Sequence, residues 1–275
     1  MKQINYWIAP HSVYQFEFPN DFMYKGSNIT DVKASGRITI AKELGCLDKP
    51  PKGLSLSTWN LCGSISNYSI RTEFKSNYDL SPGSLLTVGR DTDVTIYTPY
   101  IDYYILGNDL SYISLMNKVM TIRCSSFILK ETLFLFLGES GSGKSTIVAE
   151  AKENFINPII LSDDHLGLNV ENNSISAFTP LWDKVNLDMK EAKCKEIKKM
   201  IVFLLEDESS RKKIQRVSSV IEKITFVLKS TVLFGVDKGI SKKLLDYSKG
   251  ILHYDFYIAP QKNCIKIFDF IRSIE

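Results

Sequence analysis

Long apolar runs are missing from this sequence. The longest uninterrupted ones, residues 133–137 and 200–205, fall far short of the ~20 residues that a bilayer-spanning helix needs, so no membrane span is expected. Ordered cysteine spacing is missing too. Cys46, Cys62, Cys124, Cys194 and Cys264 are odd in number, scattered and free of any Cys-x-x-Cys pair, which argues against a disulfide framework and a zinc site. The N-terminus has no cationic stretch leading into a long apolar one, so a secretory signal is not expected and the compartment reads as cytoplasmic. Neither sign of charge dominates: 34 Lys and Arg against 31 Asp and Glu give 34 − 31 = +3, too little to argue for a nucleic-acid partner. Repeats and low-complexity tracts are absent. What the chain does have is 44% hydrophobic residues over 275 positions, enough to exclude disorder and to build one large domain or two modest ones.

The first hundred residues read as β-rich. Aromatic and β-branched runs at 13–18, 37–40, 66–74, 85–88 and 94–97 are punctuated by turn residues at 49–53 and 81–83. Around Gly107-Asn108-Asp109 the pattern changes: Leu110, Ile113, Met116, Val119 and Met120 recur at helical spacing behind Asp109 as an N-cap. The domain boundary is therefore expected there, with a β-rich accessory or substrate-recognition domain at 1–107 and a second domain at 108–275. In the second, strands and helices alternate, an α/β signature. Residues 132–137 form a continuous apolar run suited to a strand buried on both faces. A helix is expected at 145–154, strands at 158–161 and 200–205, an amphipathic helix through Ile214, Val217, Ile221, Ile224 and Leu228, and another helix at 241–247 with Gly250 near its end. The strands end at Ser162-Asp163-Asp164 and Glu206-Asp207-Glu208, which puts polar groups at strand C-termini, where open α/β sheets bind ligands.

The strand at 132–137 runs directly into Gly138-Glu139-Ser140-Gly141-Ser142-Gly143-Lys144-Ser145, followed by Thr146. This matches G-x-x-x-x-G-K-[ST] in full; by chance a chain of this length does so on the order of one time in a hundred. Glycines let the backbone curl so that successive N–H groups point at phosphates, and the following helix adds its unsatisfied N–H groups and positive dipole end. Lys144 would reach the terminal phosphates of ATP or GTP, and the Ser145 hydroxyl would coordinate Mg2+. The plain alternative is a glycine-rich turn carrying a surface lysine.

Asp163 and Asp164 end the next expected strand. One carboxylate could hold magnesium and the other accept the proton of an attacking hydroxyl; two adjacent carboxylates at a phosphate site call for a cation between them. Elsewhere such a pair would be a solvated turn. His165 reads more as a packing residue than a catalytic one, and His11 and His253 carry no signal.

Together the loop, Ile160-Leu161-Ser162-Asp163-Asp164, the segment 198–208 and the segment 251–260 resemble, in that order, the catalytic domain of the HPr serine kinase/phosphorylase family. The resemblance is nearer to short members, which include kinases of lasso-peptide precursor serines, and covers the chain from about residue 109 onward. It implies an α/β, mixed-sheet P-loop kinase fold related to phosphoenolpyruvate carboxykinase. It also implies Mg2+-dependent transfer of the ATP γ-phosphate to a hydroxyl, usually a serine, of a peptide, a protein or a small molecule. Residue by residue it makes Lys144 and Ser145 the phosphate and magnesium ligands, Asp163 the base and Asp164 the magnesium-side acid, the two aspartates being interchangeable at this stage. A homo-oligomer is left open.

Three departures stand out. Ile122-Arg123-Cys124-Ser125 replaces a family pattern like L-H-A-S; arginine cannot accept a proton but can neutralise phosphate charge, so Arg123 reads as an electrostatic clamp or as a mark of a weakened site. Residues 177–183 lack the arginine often found before Trp182. The glycine-rich signature of the reverse reaction is absent, so a kinase rather than a phosphorylase is expected. Loss of transfer activity would instead leave a nucleotide-binding regulator, and a generic P-loop NTPase is the other alternative. The basic stretch 211–230, with Arg211, Lys212, Lys213, Arg216, Lys223 and Lys229 against Glu222, and the lysine-rich stretch 184–199 read first as solvated helix faces. The aromatics Tyr97, Tyr100, Tyr103 and Tyr104 read as core before they read as a peptide surface.

Overall fold

The structure is a computed structural model that describes residues 2–9, 12–18, 33–47, 54–63, 67–76, 84–90, 92–100, 103–171, 174–180, 195–207, 213–233 and 235–275. The expected turns at 49–53 and 81–83, residues 181–194 with Trp182, residues 211–212, and the side chains of Tyr100, Tyr103 and Tyr104 lie outside the described residues. The chain divides into two compact units, Met1–Asn117 and Lys118–Glu275.

The first unit holds strands β1 (Lys2–Ala9), β2 (Ser12–Phe18), β3 (Gly36–Leu47), β4 (Leu54–Gly63), β5 (Asn67–Ser76), β6 (Ser84–Arg90) and β7 (Asp93–Tyr100), then helix α1 (Tyr103–Met116). The strands form one sheet in the order β1-β2-β3-β7-β6-β5-β4, with β2, β3 and β7 parallel and the other neighbours antiparallel. Alternate residues such as Phe16, Ile38, Ile40, Ile70, Val94 and Ile96 are buried, the period-two signature of a sheet with one covered face.

Helix α1 corrects the expected cap. Asp109 lies mid-helix, fully buried, with its carboxylate accepting from Trp59 Nε1 at 3.2 Å, Thr72 Oγ1 at 2.9 Å and the Thr87 hydroxyl. Three side chains from β4, β5 and β6 claim the oxygens that an N-cap would have spent on backbone N–H groups. Tyr112, one turn on, packs its ring against Trp59 and Tyr68. The division between the units accordingly follows α1 rather than preceding it, at 117/118 instead of 107/108. Val119 and Met120 begin a strand instead of continuing the helix.

The second unit contains β8 (Val119–Arg123), β9 (Ser125–Leu129), β10 (Thr132–Leu137), α2 (Lys144–Asn154), β11 (Ile159–Ser162), β12 (His165–Glu171), β13 (Ser174–Phe178), β14 (Lys195–Ile197), β15 (Lys199–Glu206), β16 (Gln215–Arg216), α3 (Val220–Ser230), α4 (Lys238–Lys249), β17 (Asp255–Pro260) and α5 (Cys264–Ile274). A six-stranded sheet runs β11-β9-β10-β15-β17-β16 and a four-stranded one β14-β13-β12-β8. In the larger sheet β10, β15 and β17 are parallel while β9, β11 and β16 run antiparallel to their neighbours; the smaller sheet is antiparallel throughout. The unit is thus mixed α/β.

Strand β10 is buried at all six positions. Phe134 and Phe136 stack with Phe127 and Phe203 on one face, the Phe136 and Phe203 rings lying 5.3 Å apart and nearly parallel, under Ile147, Val148 and Ala151 of α2 and Ile267, Phe268 and Ile271 of α5. Each buried phenylalanine contributes roughly 1.5–3 kcal/mol of transfer free energy, so the core is concentrated beneath the loop that leaves β10. Two helical expectations are corrected. The amphipathic helix starts at Val220, because Gln215-Arg216 pairs with β17 as a short strand and Ser219 caps the helix by accepting from the Glu222 N–H. The stretch 195–199 is extended instead, Lys195–Ile197 as β14 with Ile197 buried in the smaller sheet and Lys199 opening β15.

Candidate active site

The sequence 138–143 turns the end of β10 into the start of α2. Gly141 and Gly143 adopt the left-handed region, with φ of 81° and 92°, which side chains disfavour. Open space surrounds a Cβ placed on Gly141. Helix α2 begins behind Gly143 with no side-chain cap, whereas α3, α4 and α5 are capped by Ser219, Asp237 and Asn263. The first N–H groups of α2 and its positive dipole end are therefore left for an anion. Lys144 Nζ bends back over the loop and donates to the Gly138 and Glu139 carbonyls at 2.8 and 2.7 Å. Of the other loop residues, Glu139 and Ser140 are exposed, Ser142 is buried, and Ser145 and Thr146 stand exposed in the first turn of α2.

The acidic pair sits where the chain changes sheets. β8 and β9 are separated by Cys124 alone, and β11 and β12 by Asp163-Asp164 alone. On one side of this corner Arg123 pairs with His165, on the other Ser126 with Ser162. Across the gap the Cys124 N–H donates to the Asp164 carbonyl at 2.9 Å, and Ser125 Oγ donates to Asp163 O at 3.0 Å, with Asp163 Oδ1 at 3.3 Å. Arg123 Nε lies 3.9 Å from Asp164 Oδ1, and His165 Nδ1 3.5 Å from Asp164 Oδ2. His165 is buried, so it shapes the site through Asp164.

Several of these groups act on the charge of Lys144. Burial pushes its ammonium below the ordinary lysine value, and the Arg123 charge acts in the same direction; Asp164, Cys124 and Asp163 act against them. The residues singled out in sequence, Arg123, Lys144, Asp163 and Asp164, thus share one electrostatic neighbourhood. Cys124 and Ser125, in the run 122–125 that was read only for Arg123, escaped the sequence reading, while His165, read as a packing residue, is indeed buried beside the acids.

The hydroxyl of Ser145 and the carboxylate of Asp164 are oxygen donors of the type a hard divalent cation takes. Among the described residues no three His, Cys, Asp or Glu side chains are grouped to hold a metal.

No family model matches this chain, and no curated protein does. Among solved structures, the HPr(Ser) kinase/phosphatase from Coxiella burnetii is similar at 14% identity and a TM-score of 0.34, with 56% of this chain and 95% of that one covered. Similarity at that level carries neither fold nor activity over to this chain. No helix among the described residues is long and apolar enough to cross a membrane.

Proposed function

We propose that the second unit is a magnesium-dependent kinase that transfers the γ-phosphate of ATP to a hydroxyl, a serine of a peptide or protein being the first candidate and a small molecule the second. One arrangement supports this: a glycine-rich loop with an uncapped helix and an inward lysine, sharing its electrostatic field with an aspartate pair locked to the neighbouring strand. One carboxylate would serve the magnesium of a bound nucleotide; the second is the one that a transfer reaction can use.

In this reading the backbone N–H groups of 138–145 hold the phosphates, and Lys144 leaves the loop carbonyls to neutralise them. Asp163, held by Ser125, orients the acceptor hydroxyl and takes its proton. The acceptor oxygen forms the new bond to the γ-phosphorus as the bond to the bridging oxygen breaks, and ADP leaves. Magnesium, held by Ser145 and Asp164, would supply further neutralisation of the phosphate charge. Arg123, across the ladder from His165, adds positive charge beside Asp164. The first unit is the candidate for acceptor recognition.

Incubation with ATP labelled in the γ-phosphate and a panel of hydroxyl acceptors tests this. Label on an acceptor is the expected result. Release of inorganic phosphate alone would make the protein an NTPase, and binding without turnover would make it a regulator.

A further inference from the structure

The turn after β17 touches the phosphate loop. Gln261 N–H donates to the Glu206 carbonyl at the end of β15 at 2.7 Å, and Lys262 N–H to the Ser142 carbonyl at 3.3 Å. Asn263 fixes the far side of the turn by capping α5. A Cβ placed on Gly143 would lie 3.4 Å from Lys262 N, 3.5 Å from its Cα and 3.6 Å from its Cγ, so the stem of the lysine leaves alongside the loop glycine that precedes Lys144. Lys262 itself is exposed and adopts the left-handed region with φ of 57°. Glycine would take that conformation freely, whereas a lysine costs on the order of 1 kcal/mol there. A residue held in strain against the loop, with an exposed cation at its tip, invites a role for that cation.

Charge points the same way. Within 138–146 Lys144 is the sole cation and Glu139 opposes it, while Asp163 and Asp164 bring two more negative charges to the neighbourhood. A triphosphate carrying about four negative charges is poorly matched by one lysine and a divalent ion, because desolvated phosphate oxygens demand compensation.

We propose that Lys262 is a second cation for the nucleotide's phosphate chain, contacting it from the β17–α5 turn on the side of the loop away from Asp163. This rests on the reading of 138–145 as a nucleotide loop. The test is calorimetric binding of Mg-ATP and of inorganic tripolyphosphate with magnesium to the full-length protein and to Lys262→Ala, Lys262→Gly and Lys262→Arg, with melting temperatures measured alongside. The Ala and Gly variants are expected to lose ~10–100-fold in affinity for both probes, as for one charge-assisted contact. The Arg variant should stay close to wild type, and Lys262→Gly, relieved of its φ penalty, should melt no lower than wild type. Unchanged affinity in Ala and Gly overturns the proposal. A loss for ATP but not for tripolyphosphate also overturns it, by moving the contact to the nucleoside. Absence of binding by the wild-type protein to either probe would instead remove the nucleotide reading, and this inference with it.

Discussion

Asp109 in the first unit and the pair Asp163-Asp164 in the second are carboxylates in opposite surroundings. Asp109 is fully buried among neutral donors, two threonine hydroxyls and an indole N–H. Burial raises its carboxyl from 3.8 to about 6, outweighing the hydrogen bonds that favour the charge. The Tyr68 hydroxyl nearby is pushed up as well, again chiefly by burial. Asp163 is half-buried and Asp164 largely buried at the corner of two sheets, among Arg123, Lys144 and His165. The first arrangement fixes a helix on a sheet and lets no second molecule near; the second keeps charged groups of both signs within reach of solvent. Burial among neutral donors sets one apart, and neighbouring charges of both signs the other, which separates a structural carboxylate from a candidate for chemistry.

Substitution can break that contrast. Asp163→Asn preserves shape and removes the proton acceptor. Phosphate transfer is expected to fall ~10²–10⁴-fold with nucleotide affinity retained, read by transfer assay and calorimetry on the same sample. A wild-type rate would take Asp163 out of the base role.

Asp109→Asn should act on stability alone, through pH. A raised carboxyl pKa means the folded state holds its proton more tightly than the unfolded chain, so stability falls as pH rises from about 4 to about 6 and the loss persists above that. Two pKa units correspond to about 3 kcal/mol. Scanning calorimetry between pH 4 and pH 7 should show the melting transition of the first unit falling in wild type and staying level in the variant. Parallel curves would mean that Asp109 ionises in the fold as easily as in water.

Lys144→Ala should weaken nucleotide binding ~10–100-fold, the worth of a charge-assisted phosphate contact, without changing the melting profile of the first unit. The smallest effect is expected from Arg123→Ala. Its guanidinium is more than half exposed and 3.9 Å from its partner, so the ion pair itself contributes ~0.2–1 kcal/mol. A transfer rate lowered more than about tenfold would show instead that Arg123 acts on the phosphate.

The parts of this architecture that could be read in sequence are those whose cause is local. Strand β10 was legible to the residue because burial on both faces demands an unbroken apolar run, and the loop because its glycines answer a backbone requirement. The helix at Ile147 and Val148 followed from both. Asp109 was misread because an aspartate before apolar residues at helical spacing is a good cap; what overrides that preference lies 22, 37 and 50 residues away, in Thr87, Thr72 and Trp59. Ile214 and Val217 keep helical spacing with Ile221, yet pairing with β17 holds the neighbouring Gln215 and Arg216 extended. The link between Ser125 and Asp163 spans 38 residues and leaves no local pattern. Helix α5 did carry a signal, with Asn263 as cap and Cys264, Ile267, Phe268 and Ile271 on one buried side.

Strand β10 pairs with β15 in parallel, Thr132 against Lys199 and so on through Leu137 against Leu204, and β15 pairs with β17 in turn. Parallel neighbours of this kind are far apart along the chain, 199 − 132 = 67 residues for the first pair, and such closures form slowly. During synthesis the glycine loop would leave the ribosome well before its supports exist, with Phe134 and Phe136 still uncovered. A nascent chain halted after α2 would carry every residue of the phosphate cradle and have nothing to hold it open, so chaperone dependence should peak over that interval and end once α5 has emerged.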